Sequence, residues 1–329
     1  MRESSLQPFR LKPWFSPRPW GRRSLEPWFS TAQFGTGEPI GEAWLTGPQC
    51  VIETGPITGQ TLAATTQLHP VELLGARNTA PSQPTEFPLL LKLLFPAEKL
   101  SVQVHPDDAH AQAMGQPRGK TECWYVLEAE PGAQIALGLN PAVKPELLTH
   151  DAIRAVIADG TLEDLLNWMP VSPGDMVFVD AGTVHAIGPG MVLLETQQTS
   201  DTTFRMYDYG RPRELHVDQA LRVMKTSTAA GKVAPQKVRI SDKVEFTRLI
   251  QQQYFVVDRY DLGAGHQVTI SADKRGCLVP LSGSGTVQSA ACSNSVGLVA
   301  GHAIVLPVSA HEVQVSAASP VALIHSWAP

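Results

Sequence analysis

The sequence predicts an all-β protein with helical insertions and a smaller β unit at its C-terminus. Three observations carry that expectation. Apolar and aromatic runs are short and bounded by turn residues, as at 87–95, 121–127, 176–179 and 191–197. Gly (26) and Pro (27) exceed their ordinary share of a 329-residue chain, which suits many strands joined by tight turns. Helical spacing is confined to a few short segments.

In chain order, residues 1–48 are rich in Pro, Trp and Arg and read as short strands and turns. Trp14, Trp20, Trp28 and Trp44 are expected to pack, and a strand is expected from Gly41. Residues 51–66, rich in Thr and Gly, read as strand and loop, 69–75 as a short helix and 79–88 as a polar linker. The apolar run 87–95 reads as a buried strand. Pro106 stops ladder pairing and opens a helix over 107–114, with Asp107 and Asp108 at the positive end of its dipole. Residues 145–158 show helical spacing, with Pro145 at the first position and Gly160 beyond the end. A further helix is expected over 215–224. The small, polar stretch 226–235 reads as a linker, and from Val244 strands and glycine turns resume. The expected division is a unit of 1–225 with a helical insertion around 145–167, the linker 226–235, and a β unit of 236–329.

Composition excludes several classes. A net charge of −5 argues against nucleic acid as the main partner. Cys50, Cys123, Cys277 and Cys292 form no CxxC pair, so neither a disulfide framework nor a cysteine zinc site is expected. No apolar run approaches the roughly 18 residues of a membrane span. Pro8, Pro13, Pro17 and Pro19 would break the amphipathic helix of a transit peptide, so a cytoplasmic protein is expected.

The chemistry gathers around Ser101-Val102-Gln103-Val104-His105-Pro106-Asp107-Asp108. On a strand, Gln103 and His105 share one face and Val102 and Val104 the other. Gly174-x5-Asp180-x-Gly182-x2-His185 then gives turn, strand, tight turn and histidine. It resembles the second motif of the cupins, in which proline usually stands at the Asp180 position. The first cupin motif brings paired ligands from one strand and a carboxylate from the next, here Gln103, His105 and Glu122. Imidazole and carboxylate suit Zn²⁺ and other first-row divalent metals.

Five ordered blocks make the resemblance specific. They are Gly41-Glu42-Ala43-Trp44, Leu100 to Asp108, Gly119-Lys120-Thr121-Glu122-Cys123-Trp124-Tyr125, Gly182-Thr183-Val184-His185-Ala186, and Glu195 to Arg205. Tyr207 to Arg211 and Arg213-Glu214-Leu215-His216 follow. Over roughly residues 15–225 the chain resembles the type I mannose-6-phosphate isomerases in their short bacterial form. The resemblance implies two cupin-like jelly-roll barrels, the N-terminal one catalytic. It implies one Zn²⁺ per chain and the interconversion of mannose 6-phosphate and fructose 6-phosphate through an enediolate. By matching positions it implies Gln103, His105, Glu122 and His185 as metal ligands, and Arg205, Lys120 and Asp201 as catalytic residues. It further implies Lys92, Ser101, Lys120 and Arg205 at the substrate, in a monomer or weak homo-oligomer with no nucleic-acid or membrane partner.

Other assignments compete. A non-catalytic sugar-phosphate-binding cupin would keep the pocket without turnover, and a cupin oxygenase would place iron in the same site. His110, His150 and His216 are read as exposed and are given no role. Near the C-terminus, Gly301-x5-Pro307-x-Ser309-Ala310-His311 resembles a decayed copy of the cupin motif, offset by one residue. Such an offset turns a strand side chain to the opposite face. A metal-free second barrel is therefore expected, with His302, His311 and His325 not acting as ligands.

Overall fold

The computed structural model describes residues 6–35, 37–76, 85–290 and 294–329. Four β-sheets dominate. A seven-stranded antiparallel sheet runs in the order Gly231–Val233, Met176–Val179, Glu122–Ala129, Met191–Gln198, Leu89–Leu94, Ile40–Trp44, Trp14–Arg22. A five-stranded sheet runs Phe204–Tyr207, Val102–Val104, His185–Ile187, Gln134–Leu139, Leu166–Pro170.

Strand periodicity decides what each face meets. Trp124, Val126, Leu94 and Leu193 of the seven-stranded sheet share one apolar cluster with Ile135, Leu137 and Ile187 of the five-stranded sheet. The alternate residues Cys123, Tyr125, Val192 and Leu194 point the other way and pack with Val257, Cys277 and Ile324 of an eight-stranded sheet. On the outer face of the five-stranded sheet, Val102, Val104, Phe204 and Ala186 meet two helices through Ile153, Ile157, Ala220 and Leu221. A four-stranded sheet closes the C-terminal end through Ile270, Val287 and Val313. Each such aliphatic side chain contributes on the order of 1.5–3 kcal/mol by leaving water.

Several expectations are corrected. The 145–158 helix is two pieces, a 3-10 turn Pro145–Leu148 and an α-helix His150–Ala158. Thr149 separates them because its hydroxyl accepts from the Ala152 amide, which makes it an N-cap. The stretch 51–66 contains the start of a helix, Leu62–Leu68, capped in the same way by Thr61. The helix expected over 215–224 spans only Val217–Val223. The supposed linker contains a strand, Gly231–Val233, which pairs with Met176–Phe178 at the sheet edge. Phe9–Lys12 and Val51–Ile52 join the eight-stranded sheet beside Ile304–Leu306, so that sheet draws two strands from the N-terminal part of the chain. Trp20 and Trp44 are buried, whereas Trp14 is 41% exposed and only edges onto Trp44. Of the linker 79–88, residues 79–84 lie outside the described residues, as do residues 1–5 and Cys292. Among the described residues, Cys50, Cys123 and Cys277 are free and buried, and no helix is long and apolar enough to cross a membrane.

Candidate active site

One rung of the five-stranded sheet organises the site. His185 is paired with Gln103, and Gln103 with Arg205. Their sequence neighbours Val102, Val104, Val184, Ala186, Phe204 and Met206 all face the helices. Alternation therefore sends the three polar side chains inward. The seven-stranded sheet answers with its own rungs, Glu195 opposite both Lys92 and Trp124, and Gln197 opposite Glu122.

At the base, one ligand atom from each of His105, Glu122 and His185 lies within 4.8 Å of the others. Glu122 Oε2 is 3.6 Å from His105 Nε2, and Oε1 is 3.6 Å from His185 Nε2. All three residues are about 1% exposed. His105 Nδ1 is 3.0 Å from the Thr202 carbonyl and His185 Nδ1 is 2.8 Å from the Thr183 carbonyl. A carbonyl only accepts, so both Nδ1 atoms carry hydrogen and both Nε2 lone pairs face the cluster. Burial, with the charge of Lys120, holds His105 well below the usual histidine range, and burial pushes His185 down to about 4. Gln103 adds an amide whose Nε2 is 3.2 Å from His185 Nε2 and whose Oε1 accepts from the Ser101 hydroxyl at 3.2 Å.

This set passes the test for a metal site. His105 Nε2 is buried with no hydrogen-bond partner, and Glu122 Oε2 makes no hydrogen bond either, although the Lys120 ammonium lies 3.3 Å from it. Orphaned polar atoms of that kind are costly unless something coordinates them. Two imidazole nitrogens and a carboxylate form a donor set suited to Zn²⁺, and Gln103 would add its amide oxygen with the amide turned end for end from the orientation in which its nitrogen faces His185.

Beside the cluster opens a cleft of about 490 Å³, which meets it through Gln103 and Lys120; His105, Glu122 and His185 themselves are not among its lining residues. Lys92, Ser101, Gln103, Lys120, Asp201 and Arg205 all line it. Lys120 Nζ is 3.3 Å from Glu122 Oε2. Burial opposes its charge, but Glu122, Glu195 and Asp201 outweigh burial and raise its pKa, so it stays protonated. Lys92 Nζ lies 3.4 Å from Glu195, 3.8 Å from Asp201 and 4.6 Å from the centre of a Trp44 ring. The Arg205 side chain donates through Nη1 to the Glu214 carbonyl at 2.7 Å.

Four charged lining residues were not singled out from the sequence: Arg18, Glu42, Glu195 and Arg213. Glu42 accepts from Arg18 at 3.0 and 3.1 Å and from Trp44 Nε1 at 2.7 Å. Burial works against its ionised form, but Lys92 and Arg18 hold it below the usual carboxylate range. Glu195 accepts from Trp124 Nε1 at 3.2 Å, and burial raises its pKa. Both acids stand inside quoted blocks, yet nothing in strand spacing separates a cleft carboxylate from a core charge. His216, read as exposed, is half-buried on the backbone of Arg205. Its ring Nδ1 accepts from the Arg205 amide at 3.2 Å, and its own amide donates to the Arg205 carbonyl at 2.7 Å.

The loop carrying Lys120 is clamped on both sides. Asp108 Oδ1 accepts from the Gly119 amide at 2.8 Å, and Gln198 Oε1 from the Thr121 amide at 3.0 Å. Gln198 Nε2 donates to the same Asp108 oxygen at 3.0 Å. Tyr254 donates its hydroxyl to Asp108 Oδ2 at 2.9 Å, which ties the C-terminal part to the loop. Glycine is required at 119, since a Cβ there would stand 2.5 Å from the Asp107 carbonyl carbon.

The C-terminal histidines lie elsewhere. His311 is exposed near Asp273, His302 edges onto Phe29, and His325 is buried opposite Asp258. Among the described residues, His105, Glu122 and His185 form the one histidine–carboxylate group with metal-ligand spacing.

Comparison with known proteins fits this geometry. A family model described as phosphomannose isomerase type I, catalytic domain, matches residues 9–138. Mannose-6-phosphate isomerase ManA of Bacillus subtilis is 37% identical over 272 residues, covering 78% of this chain and 80% of that protein. The chain belongs to the type I phosphomannose isomerase family. As a phosphomannose isomerase it is an enzyme, and other members share its sequence and shape. Mannose-6-phosphate isomerase of Streptococcus mutans is 41% identical over 187 residues, 55% of this chain and 57% of that one. The crystal structure of the Bacillus subtilis mannose 6-phosphate isomerase superposes with a TM-score of 0.83 at 30% identity, covering 98% of this isomerase and 99% of that chain.

Proposed function

We propose that this isomerase interconverts D-mannose 6-phosphate and D-fructose 6-phosphate through an enediolate, with one Zn²⁺ per chain held by Gln103, His105, Glu122 and His185. The observation that carries this is the buried His105–Glu122–His185 group, whose His105 Nε2 has no hydrogen-bond partner, next to a cleft that Gln103 and Lys120 share with it and that five cationic side chains line. Arg18, Lys92, Lys120, Arg205 and Arg213 outnumber Glu42, Glu195 and Asp201 along that lining, so the cleft favours a phosphorylated substrate.

Bound Zn²⁺ would supply Lewis-acid polarisation of the substrate's oxygens. The remaining work falls to the chain. Lys120, held protonated, donates to the oxygen on which negative charge develops. Arg205 faces the same space from the rung beside Gln103 and stabilises that charge with a fixed guanidinium. Asp201, at the mouth within 3.8 Å of Lys92, assists ring opening and proton transfer. Lys92 and Ser101 bind the sugar phosphate alongside Lys120 and Arg205. The division of labour follows the expected one. The N-terminal barrel is catalytic, the barrel of 236–329 is metal-free, and the protein is a cytoplasmic monomer or weak homo-oligomer.

A coupled assay following fructose 6-phosphate formation tests the function. Zinc-replete protein should turn mannose 6-phosphate over. A protein that binds the sugar phosphate without turnover would instead be the non-catalytic cupin.

A further inference from the structure

Asp208 is only 3% exposed, yet it carries a carboxylate. Both oxygens accept from Arg213, from Nε and Nη2 at 2.6 Å each. Arg211 Nη2 is 3.0 Å from Oδ1, and the Arg211 amide and Nε donate to the Asp208 carbonyl at 3.0 and 3.2 Å. Arg205 Nε is 4.0 Å from Oδ2, buried and without a hydrogen-bond partner. One acid therefore underlies three guanidiniums, and two of them, Arg205 and Arg213, line the cleft.

The backbone is bent to make this cluster. Directly after Asp208, Tyr209 (φ 55°) and Gly210 (φ 78°) both adopt the left-handed conformation. They reverse the chain so that Arg211 and Arg213 return to the carboxylate they have just left. Tyrosine rarely sits there. It is held by ring contacts with Tyr207 at 5.0 Å and with the Arg211 guanidinium at 5.5 Å.

The arginines of the cleft are not equivalent. Arg18 is bound through two nitrogens by Glu42, and Arg213 through two by Asp208. Arg205 has no such carboxylate fork, and burial and the neighbouring Arg213 charge depress its pKa. Three like charges at this spacing repel unless an anion sits among them.

We propose that Asp208 is a positioning residue for Arg205. It fixes Arg211 and Arg213 beside Arg205 and leaves Arg205, anchored through Nη1 on the Glu214 carbonyl, as the cleft guanidinium with no carboxylate forked on it and able to meet the substrate. This rests on the isomerase function above and deepens it.

The test is steady-state kinetics on zinc-loaded Asp208→Asn, with inorganic phosphate as a competing anion. The kcat should fall about tenfold to a hundredfold, as for a displaced catalytic group. Phosphate should compete at least as well as before, because the cluster has gained positive charge, and zinc per chain should not change. In an Arg205→Ala background the same substitution should alter kcat by less than about twofold, since the group it positions is gone. An unchanged kcat, or a full-sized loss in the Arg205→Ala background, overturns the proposal. Should Asp208→Asn not fold, Asp208→Glu keeps the charge, moves the carboxylate by one methylene and is read by kcat alone and in the Arg205→Ala background. Absence of turnover in the unmutated protein would count against the isomerase function instead.

Discussion

Arg205 and Gln103 face each other directly across two antiparallel strands, and Gln103 faces His185 across the next pair. A guanidinium, an amide and an imidazole thus occupy one rung of a sheet whose outer face is apolar. Residues 102 and 82 apart in sequence become neighbours because strand register admits no half-steps.

Arg205→Ala should therefore fold and keep its metal, because Arg205 is not among the donors and its backbone pairing is unaffected by the side chain. Turnover should drop by about a hundredfold to a thousandfold, the usual loss on removing a preorganised charge-stabilising group. Metal analysis alongside the coupled assay checks this. Equal activity would remove Arg205 from the mechanism.

Chelation should abolish activity, and added Zn²⁺ should restore it. His185→Ala and Glu122→Ala should lose zinc as well as turnover, since each removes a donor from a group that lies within 4.8 Å. Mass spectrometry of the native protein reads the occupancy directly. Iron bound in place of zinc would favour the oxygenase assignment.

Tyr254→Phe removes one hydrogen bond to Asp108, which lies outside the cleft, and leaves the cleft lining intact. Its effect travels through Asp108 to Gly119 and on to Lys120. The kcat should fall roughly two- to tenfold, the span of one net hydrogen bond, with zinc content unchanged. An unaltered kcat would mean that the Lys120 loop holds itself without the C-terminal part.

Acid should weaken the fold through His325. Both of its ring nitrogens are buried without a hydrogen-bond partner, and burial, with the Arg248 charge, pushes it down to about 3. Asp258, its cross-strand neighbour, already accepts from Arg248 and from Trp327. The unfolded chain takes up a proton near the ordinary 6.5, whereas the folded chain does not until about 3. Stability is thus fully present above 6.5 and declines as pH falls from 6.5 towards 3, by about 1.4 kcal/mol per pH unit for one proton. Urea unfolding of the native protein and of His325→Leu at pH 7 and pH 4 isolates the effect. The native protein should lose more stability between the two, and identical losses would contradict this.

The sequence was most legible where chemistry and strand period coincide. Gln103 with His105 on one face was readable from strand period, Glu122 and His185 from their resemblance to the cupin motifs, and the fold brings the four together. Arg18 and Arg213 were not readable, since the register that carries them to the cleft is set by contacts with Glu42 and Asp208. The Leu62–Leu68 helix was hidden because its threonines favour strands, and a cap at Thr61 overrides that preference. The strand Gly231–Val233 was hidden because a short edge strand needs no apolar alternation. His216 looked like a solvated helix end, and only the return of the chain after Gly210 lays it on Arg205.

The central claim is that four distant side chains converge on one cation. Anomalous diffraction at the zinc edge from crystals of zinc-loaded protein tests it most directly. One peak is expected, about 2.0–2.2 Å from His105 Nε2, His185 Nε2 and oxygens of Glu122 and Gln103. A zinc ion held by other side chains, or none within this cluster, would contradict the account.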